Sequence, residues 1–416
     1  MKRLPRVGLL HYTCPPIIGG VETILYEQAS RLSALGYPVT ILSGRGGPLP
    51  APTNVQLVIV PELDSKHPEV SATRDALDRG EIPASFTTLR ACLHDRLAPQ
   101  LAALDTLIVH NALTLHFNLP LTSALWDLAR GEGCRVISWC HDLSWANPLY
   151  QPRMHPGEPW SLLRRPNPQI APVFISTQRR KEWEHLTGTT VDPATVIHNG
   201  IDPFALLQLG ARTRALVQQF GLAEADVVML APVRITKRKN LEWAIEAAAA
   251  IQASGKRVRL LITGPPGPHN PRALRYVEEL KALRSHHGLE ESVCFLFEQR
   301  PAGAENEYAV DAVTLADLYM LSDVVTLPST SEGFGLPLAE AAIFRTPVVC
   351  TDLPAFREVA ATAPHFVPIE AGSSGFTRAV MAALDEPAAR LRRQIMRALS
   401  WDIIIRQQLE PLLNRA

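Results

Sequence analysis

No apolar stretch of this 416-residue chain approaches the ~20 residues that a membrane-spanning helix needs. The opening MKRLPRVGLLHY sets basic residues before an apolar run too short for a signal-peptide core, so a cytoplasmic protein is expected. Charge of one sign is lacking too. The 41 Lys and Arg are balanced by 41 Asp and Glu, which disfavours a nucleic-acid or lipid partner held by net charge. The six cysteines (Cys14, Cys92, Cys134, Cys140, Cys294, Cys350) form no CxxC or other metal spacing and read as reduced thiols. No Asp-x-Asp occurs, so a carboxylate-held divalent metal on a diphosphate lacks its commonest ligand pair, and neither metal nor cofactor is expected. No GxGxxG follows the first strand, which disfavours a dehydrogenase.

What the chain does have is alternation. VGLLHY (7–12) reads as a strand buried on both faces, followed by a glycine loop, a helix from Val21 with an apolar stripe, and Gly36 placed to end it. Strands at 37–43, 106–110, 135–140 and 172–176 follow, with helices over 118–131 and from Thr177. After the Asn199-Gly200 turn the alternation restarts, with strands at 227–233, 258–264, 293–297, 324–328 and 347–352. Helices are expected at 240–253, 271–287, 314–322 and 337–344. Residues 61–95 read as a loop followed by a helix. Proline, 35 residues in all, clusters in loops such as 46–52, 147–159 and 263–271. The fold class is therefore α/β: two doubly wound domains, 1–203 and 204–390, and a tail, 391–416, whose apolar face must pack on something already built.

Open α/β sheets bind ligands where strands exit into helix N-termini, and each informative motif lies at such a place. In STSEGFGLPLAEA (329–341), Gly333 and Gly335 let backbone approach a ligand, and the free N–H groups of the helix start attract an anion. Glu340 could then accept the hydroxyls of a ribose, with Glu332 on the other side of the phosphate. PVRITKRKN (232–240) offers Arg234 and Lys239, suited to a diphosphate leaving group. Gly19 and Gly20 form the loop after the first strand, and His141 and Asp142 follow a buried strand. Taken singly, each motif also fits plain structure: a dipole-pairing acid, a solvated basic loop, a tight turn, a core histidine.

Together these residues resemble the family-4 (group 1) retaining glycosyltransferases of GT-B fold. The likeness rests on GGVE (19–22), HNGID (198–202), Arg234 with Lys239, LADLYMLSDVVTLPS (315–329) and the E-x7-E pair Glu332 and Glu340. It implies two Rossmann-like domains facing across a cleft, an N-terminal one for the acceptor and a C-terminal one for the sugar nucleotide. It also implies that the C-terminal helix crosses back onto the first domain. By motif position Glu340 would bind the ribose. Glu332, Gly333, Phe334, Gly335 and Leu336 would hold sugar and phosphate. Arg234 and Lys239 would stabilise the departing diphosphate, Gly19 and Gly20 would close over the phosphate, and His141 would contact the sugar at the reaction centre. The implied activity is metal-independent transfer of a hexose from a UDP- or GDP-linked donor to a hydroxyl of a small molecule, glycan or lipid-linked acceptor, with retention of configuration by front-face attack. A sugar-nucleotide epimerase on the same fold and a non-catalytic sugar-nucleotide-binding scaffold are the alternatives. One residue departs from the pattern: Asn240 stands where glycine is common, and is expected to be tolerated as the start of a helix.

Overall fold

The computed structural model describes residues 3–49, 54–131, 133–266, 271–298, 310–362 and 364–414. The proline-rich loops expected at 46–52 and 263–271 lie partly outside these. The chain forms two compact units, one of Met1–Ile201 with Trp401–Ala416 and a second of Asp202–Ser400. The sequence pattern sets those handovers at 203 and 391. Residues 391–400 stay instead with the second unit, where the helix Pro387–Ala398 ends, and only the last 16 residues return to the first.

The first unit is built on six parallel strands: β1 (Val7–Thr13), β2 (Val39–Arg45), β3 (Val55–Ile59), β4 (Thr106–His110), β5 (Arg135–Cys140) and β6 (Ile170–Phe174). Their order is β3-β2-β1-β4-β5-β6. β1, β4 and nearly all of β5 are buried along their length, which explains their unbroken apolar character. β3 is absent from the sequence reading because it is a half-exposed edge with mixed sequence. Residues 61–95 hold more helix than expected, with Pro68–Leu77 before the long Ala84–Ala102.

The tail packs into this unit. Trp401, Ile404, Ile405, Leu409 and Leu413 join Leu9, Leu25, Ile41 and Ile137 in one cluster on one face of the sheet. Trp401 N–H donates to Ile201 O at 3.0 Å, and a Cβ at Gly200 would sit 2.4 Å from the indole, so glycine there is a matter of space. Tyr37 Oη donates to Glu410 at 3.1 Å, Arg135 Nη1 to Leu412 O at 2.8 Å, and Arg31 pairs with Asp402.

The second unit repeats the architecture with β7 (Val227–Ala231), β8 (Val258–Ile262), β9 (Val293–Phe295), β10 (Val324–Leu327), β11 (Val348–Thr351) and β12 (His365–Val367). Its order is β12-β11-β10-β7-β8-β9, again all parallel, around one continuous apolar core. In both sheets the first and fourth strands are neighbours whose chains leave in opposite directions. The crevice at their carboxyl ends is where such sheets take ligands. Among the described residues, no helix is long and apolar enough to cross a membrane.

Candidate active site

In the second unit the crevice lies between the exits of β7 and β10, and the two motifs read from the sequence meet there. β7 leads into Pro232–Thr236 and a 3-10 turn, Lys237–Lys239; β10 leads into 328–335 and the helix Leu336–Ile343. Glu332 Oε1 takes the Lys239 ammonium, each side chain only 8% exposed, and Ser329 Oγ donates to the same oxygen at 2.7 Å. Arg238 Nη1 reaches Glu332 Oε2 at 3.0 Å and Ser331 O at 2.9 Å, and Thr330 N–H donates to Arg238 O at 2.8 Å. Burial pushes the Glu332 carboxyl up, but hydrogen bonds from Lys239 and Ser329, with the nearby cations, outweigh it and hold the group below its ordinary range. Burial pulls the Lys239 ammonium down by more than Glu332 restores. With three donors on one carboxylate, the contacts favour the ionised pair.

Glu332 is therefore no solvated loop acid, and Lys239 does not stand free beside Arg234. Arg234 is exposed and makes no charged contact among the described residues. Its backbone is pinned from behind, since a Cβ at Gly264 would come within 2.3 Å of Val233 O and 2.6 Å of Arg234 Cα. Asn240 corrects a reading made from sequence. The helix begins at Glu242, and Asn240 itself is left-handed, φ 50° and ψ 46°. Asparagine suits the position because its short polar side chain tolerates that conformation better than other non-glycine residues do.

The 332–340 segment forms as its composition requires. Gly335 has φ 104°, and a Cβ there would lie 2.6 Å from Phe356, so both backbone and space demand glycine. Gly333 has nothing within 4 Å of a notional Cβ, leaving its backbone open to approach. The helix from Leu336 has no side-chain cap; Pro337 carries no N–H and Leu338 N–H donates to Gly335 O at 2.9 Å, so among the first three helical positions Leu336 N–H is the one left for an anion. Phe334 and Leu336 are 53% and 62% exposed beside it. Glu340 is held by Tyr319 Oη, which donates at 2.7 Å. The buried Tyr319 ring stacks on Phe344 at 5.6 Å, fixing that hydroxyl, and burial together with Glu340 pushes the phenol's pKa up.

In the first unit the crevice between β1 and β4 is lined by histidine. His11 lies in buried β1 two residues before its end, His110 ends β4, and His141 follows β5. His11 Nδ1 donates to His110 O at 3.1 Å, His110 Nδ1 and His141 Nε2 share a hydrogen at 3.0 Å, and His141 N–H donates to Asn111 Oδ1 at 3.1 Å. Burial, then the charge of His11, takes His141 down to about 3. Burial also lowers His110, well below the ordinary value, and His11. All three are neutral at pH 7. Glu22 accepts from Thr13 Oγ1 at 2.5 Å and lies 3.9 Å from His11 Nε2. Gly19 is extended before the helix Gly20–Ala34; a Cβ on Gly19 would strike Glu22, whereas Gly20 has open space.

Asp142 serves the loop: its carboxylate takes Leu143 N–H at 2.9 Å and Asn147 Nδ2 at 2.8 Å and pairs with Arg179 at 3.2 Å. Trp145 and Trp160 pack the same loop, Trp145 Nε1 donating to Trp160 O at 2.9 Å. Sequence reasoning missed His11, His110, Arg238, Ser329 and Tyr319. Only the first two carried a signal, as histidines near the carboxyl ends of buried parallel strands. Among the described residues, no group of three His, Cys, Asp or Glu side chains is placed to hold a metal ion.

Comparison with known proteins covers both units. Residues 18–203 match the family described as Glycosyltransferase Family 4 and residues 213–398 the one described as Glycosyl transferases group 1. A D-inositol 3-phosphate glycosyltransferase of Gordonia bronchialis is 26% identical over 92% of this chain and 81% of its own length. The mannosylglucosylglycerate synthase of Petrotoga mobilis is 24% identical over 61% of each chain. Among solved structures, Anabaena Alr3699/HepE in complex with UDP and glucose aligns over 99% of this chain at 17% identity and a TM-score of 0.35, too slight a likeness to bear on the fold. Between them these two matches cover most of the chain, which belongs to the group 1, family 4 glycosyltransferases of GT-B fold.

Proposed function

We propose that this protein transfers a hexose from a UDP- or GDP-linked donor to an acceptor hydroxyl, without a metal and with retention at the anomeric carbon. The carrying observation is the second unit's crevice, where the buried Glu332–Lys239 pair fixes two strand exits beside an uncapped, glycine-opened helix start. A diphosphate fits there physically. The helix start and Arg234 supply positive charge for the oxygen that becomes the leaving group, and Lys239 holds Glu332 in a single orientation toward the sugar. Glu340, set by Tyr319, is the carboxylate for the ribose hydroxyls. In front-face attack the departing phosphate oxygen takes the acceptor's proton, so no protein nucleophile is required.

Gly19, Gly20 and His141 of the first unit are assigned to phosphate and sugar on the family resemblance. The names of the two relatives support a small polyhydroxylated acceptor. Donor and stereochemistry are tested together. A thermal-shift screen of UDP-, GDP-, ADP- and TDP-sugars identifies the donor, because bound ligand raises the melting temperature. Anomeric coupling constants of the product then report configuration. An inverted product overturns the retaining assignment, and epimerised donor formed without acceptor overturns transfer.

A further inference from the structure

We propose that His110 is a positioning residue that locks His141 into its Nδ1–H tautomer, so that His141 acts as a neutral hydrogen-bond donor and not as a base. The argument is an accounting of protons on three buried rings. His11 Nδ1 faces a carbonyl oxygen, His110 O, at 3.1 Å, and a carbonyl can only accept, so His11 carries its proton on Nδ1. Between His110 Nδ1 and His141 Nε2, 3.0 Å apart, one nitrogen must donate and the other accept.

The other nitrogen of His110 decides which. His110 Nε2 is sealed from solvent and has no partner among the described residues, and the residue is 0% exposed. Were His141 the donor, His110 would carry its proton on Nε2 and bury an orphaned N–H. With His110 donating from Nδ1, the orphan is a lone pair, the less costly of the two. Every titratable group facing the cluster agrees. His11 is neutral, Glu22 approaches only His11, and Asn111 uses its side-chain oxygen on the His141 backbone. His141 is left with Nε2 as acceptor and Nδ1 as donor. Its Nδ1 has no partner among the described residues and is not among the sealed atoms, so the hydrogen stands ready for an incoming hydroxyl or phosphate oxygen.

The tautomer stands on this geometry alone; its use in catalysis rests on the glycosyl-transfer reading. Long-range proton–nitrogen spectra of the full chain labelled with 15N-histidine test the first part. The expected result is His141 with a protonated Nδ1 and a bare Nε2 in the wild type. His110→Asn, whose amide nitrogen replaces the Nδ1 donor, keeps that pattern, and His110→Asp, an acceptor at the same place, moves the proton to Nε2. A wild-type His141 protonated on Nε2, or one unmoved in His110→Asp, overturns the assignment. Should the aspartate variant fail to fold, the wild-type spectrum still decides.

Kinetics test the second part with the donor found by thermal shift. His110→Asn keeps kcat within about threefold, whereas His110→Leu loses about tenfold or more with donor affinity unchanged. Equal losses in both variants overturn the positioning role. If the spectra are as expected and the wild type turns over no sugar nucleotide, the glycosyl-transfer reading falls and the tautomer stands.

Discussion

The two units share one strand order and differ in what they place at the crevice that order creates. In the second, the exits of β7 and β10 carry a buried ion pair, an exposed arginine and a glycine-opened helix start. In the first, the exits of β1, β4 and β5 carry three neutral imidazoles in hydrogen-bonded succession. On the proposed reading, one crevice takes the donor's negative charge. The other presents uncharged donors and acceptors, as a hydroxylated molecule would need. The same backbone solution thus carries two different sets of side chains, and strand-end residues make the difference.

Acid should separate the units most clearly. His141 at about 3 and His116 at about 4 (the latter buried after β4 with its Nδ1 against Ser144 Oγ at 2.8 Å) lie below the unfolded value, both chiefly through burial, so the unfolded chain binds more protons from about pH 6.5 downward. The first unit should lose about 2 kcal/mol per histidine by pH 5. Glu332, whose carboxyl is lowered, contributes stability that is present above its unfolded value and lost only as pH falls below about 4.5. Hydrogen exchange followed by mass spectrometry should show β1, β4 and β5 opening before β7 and β10. The reverse order would break the comparison.

Next in size is the buried pair. Lys239→Ala leaves buried Glu332 with Ser329 and the exposed Arg238 alone and should cost about 3 kcal/mol in urea unfolding, with Lys239→Ala/Glu332→Ala recovering part of it. No recovery would mean that Lys239 matters through packing. Arg234→Ala should lower kcat about a hundredfold, roughly 2.7 kcal/mol, and leave the urea midpoint within error, because its side chain is exposed. Gly335→Ala should destabilise by about 1–2 kcal/mol through its φ of 104° and the Phe356 contact; a Phe356→Leu background should relieve only the second part. Smallest is Tyr319→Phe, which frees Glu340 and should weaken donor binding by about 1 kcal/mol in calorimetry.

The difference between the crevices also explains what could be read in advance. The second unit's determinants are consecutive in the chain: Arg234 to Lys239 on one exit, Glu332 to Glu340 on another. Proline marks both and glycine the second, and local spacing suffices to find them. The pairing of Lys239 with Glu332 was not legible, since only the adjacency of β7 and β10 brings positions 93 apart into contact. His11, His110 and His141 come from three separate exits, so no local spacing connects them. Asn240 escapes such reading because periodicity locates the helix that follows but not the single left-handed residue ahead of it. The half-exposed β3 and three-residue β12 carry too little pattern to be seen, whereas the buried β1, β4 and β5 announce themselves as unbroken apolar runs.

The contact of Trp401 with Gly200 and Ile201 bears on how this polypeptide could be cut. Because the outgoing and returning segments touch, with Trp401 N–H on Ile201 O at 3.0 Å, the middle 199 residues leave and re-enter their host at a single point. That segment is an insert. A stop after 201 would strip the indole from the host's core, whereas splicing 201 to 401 through a few flexible residues should yield a small autonomous protein.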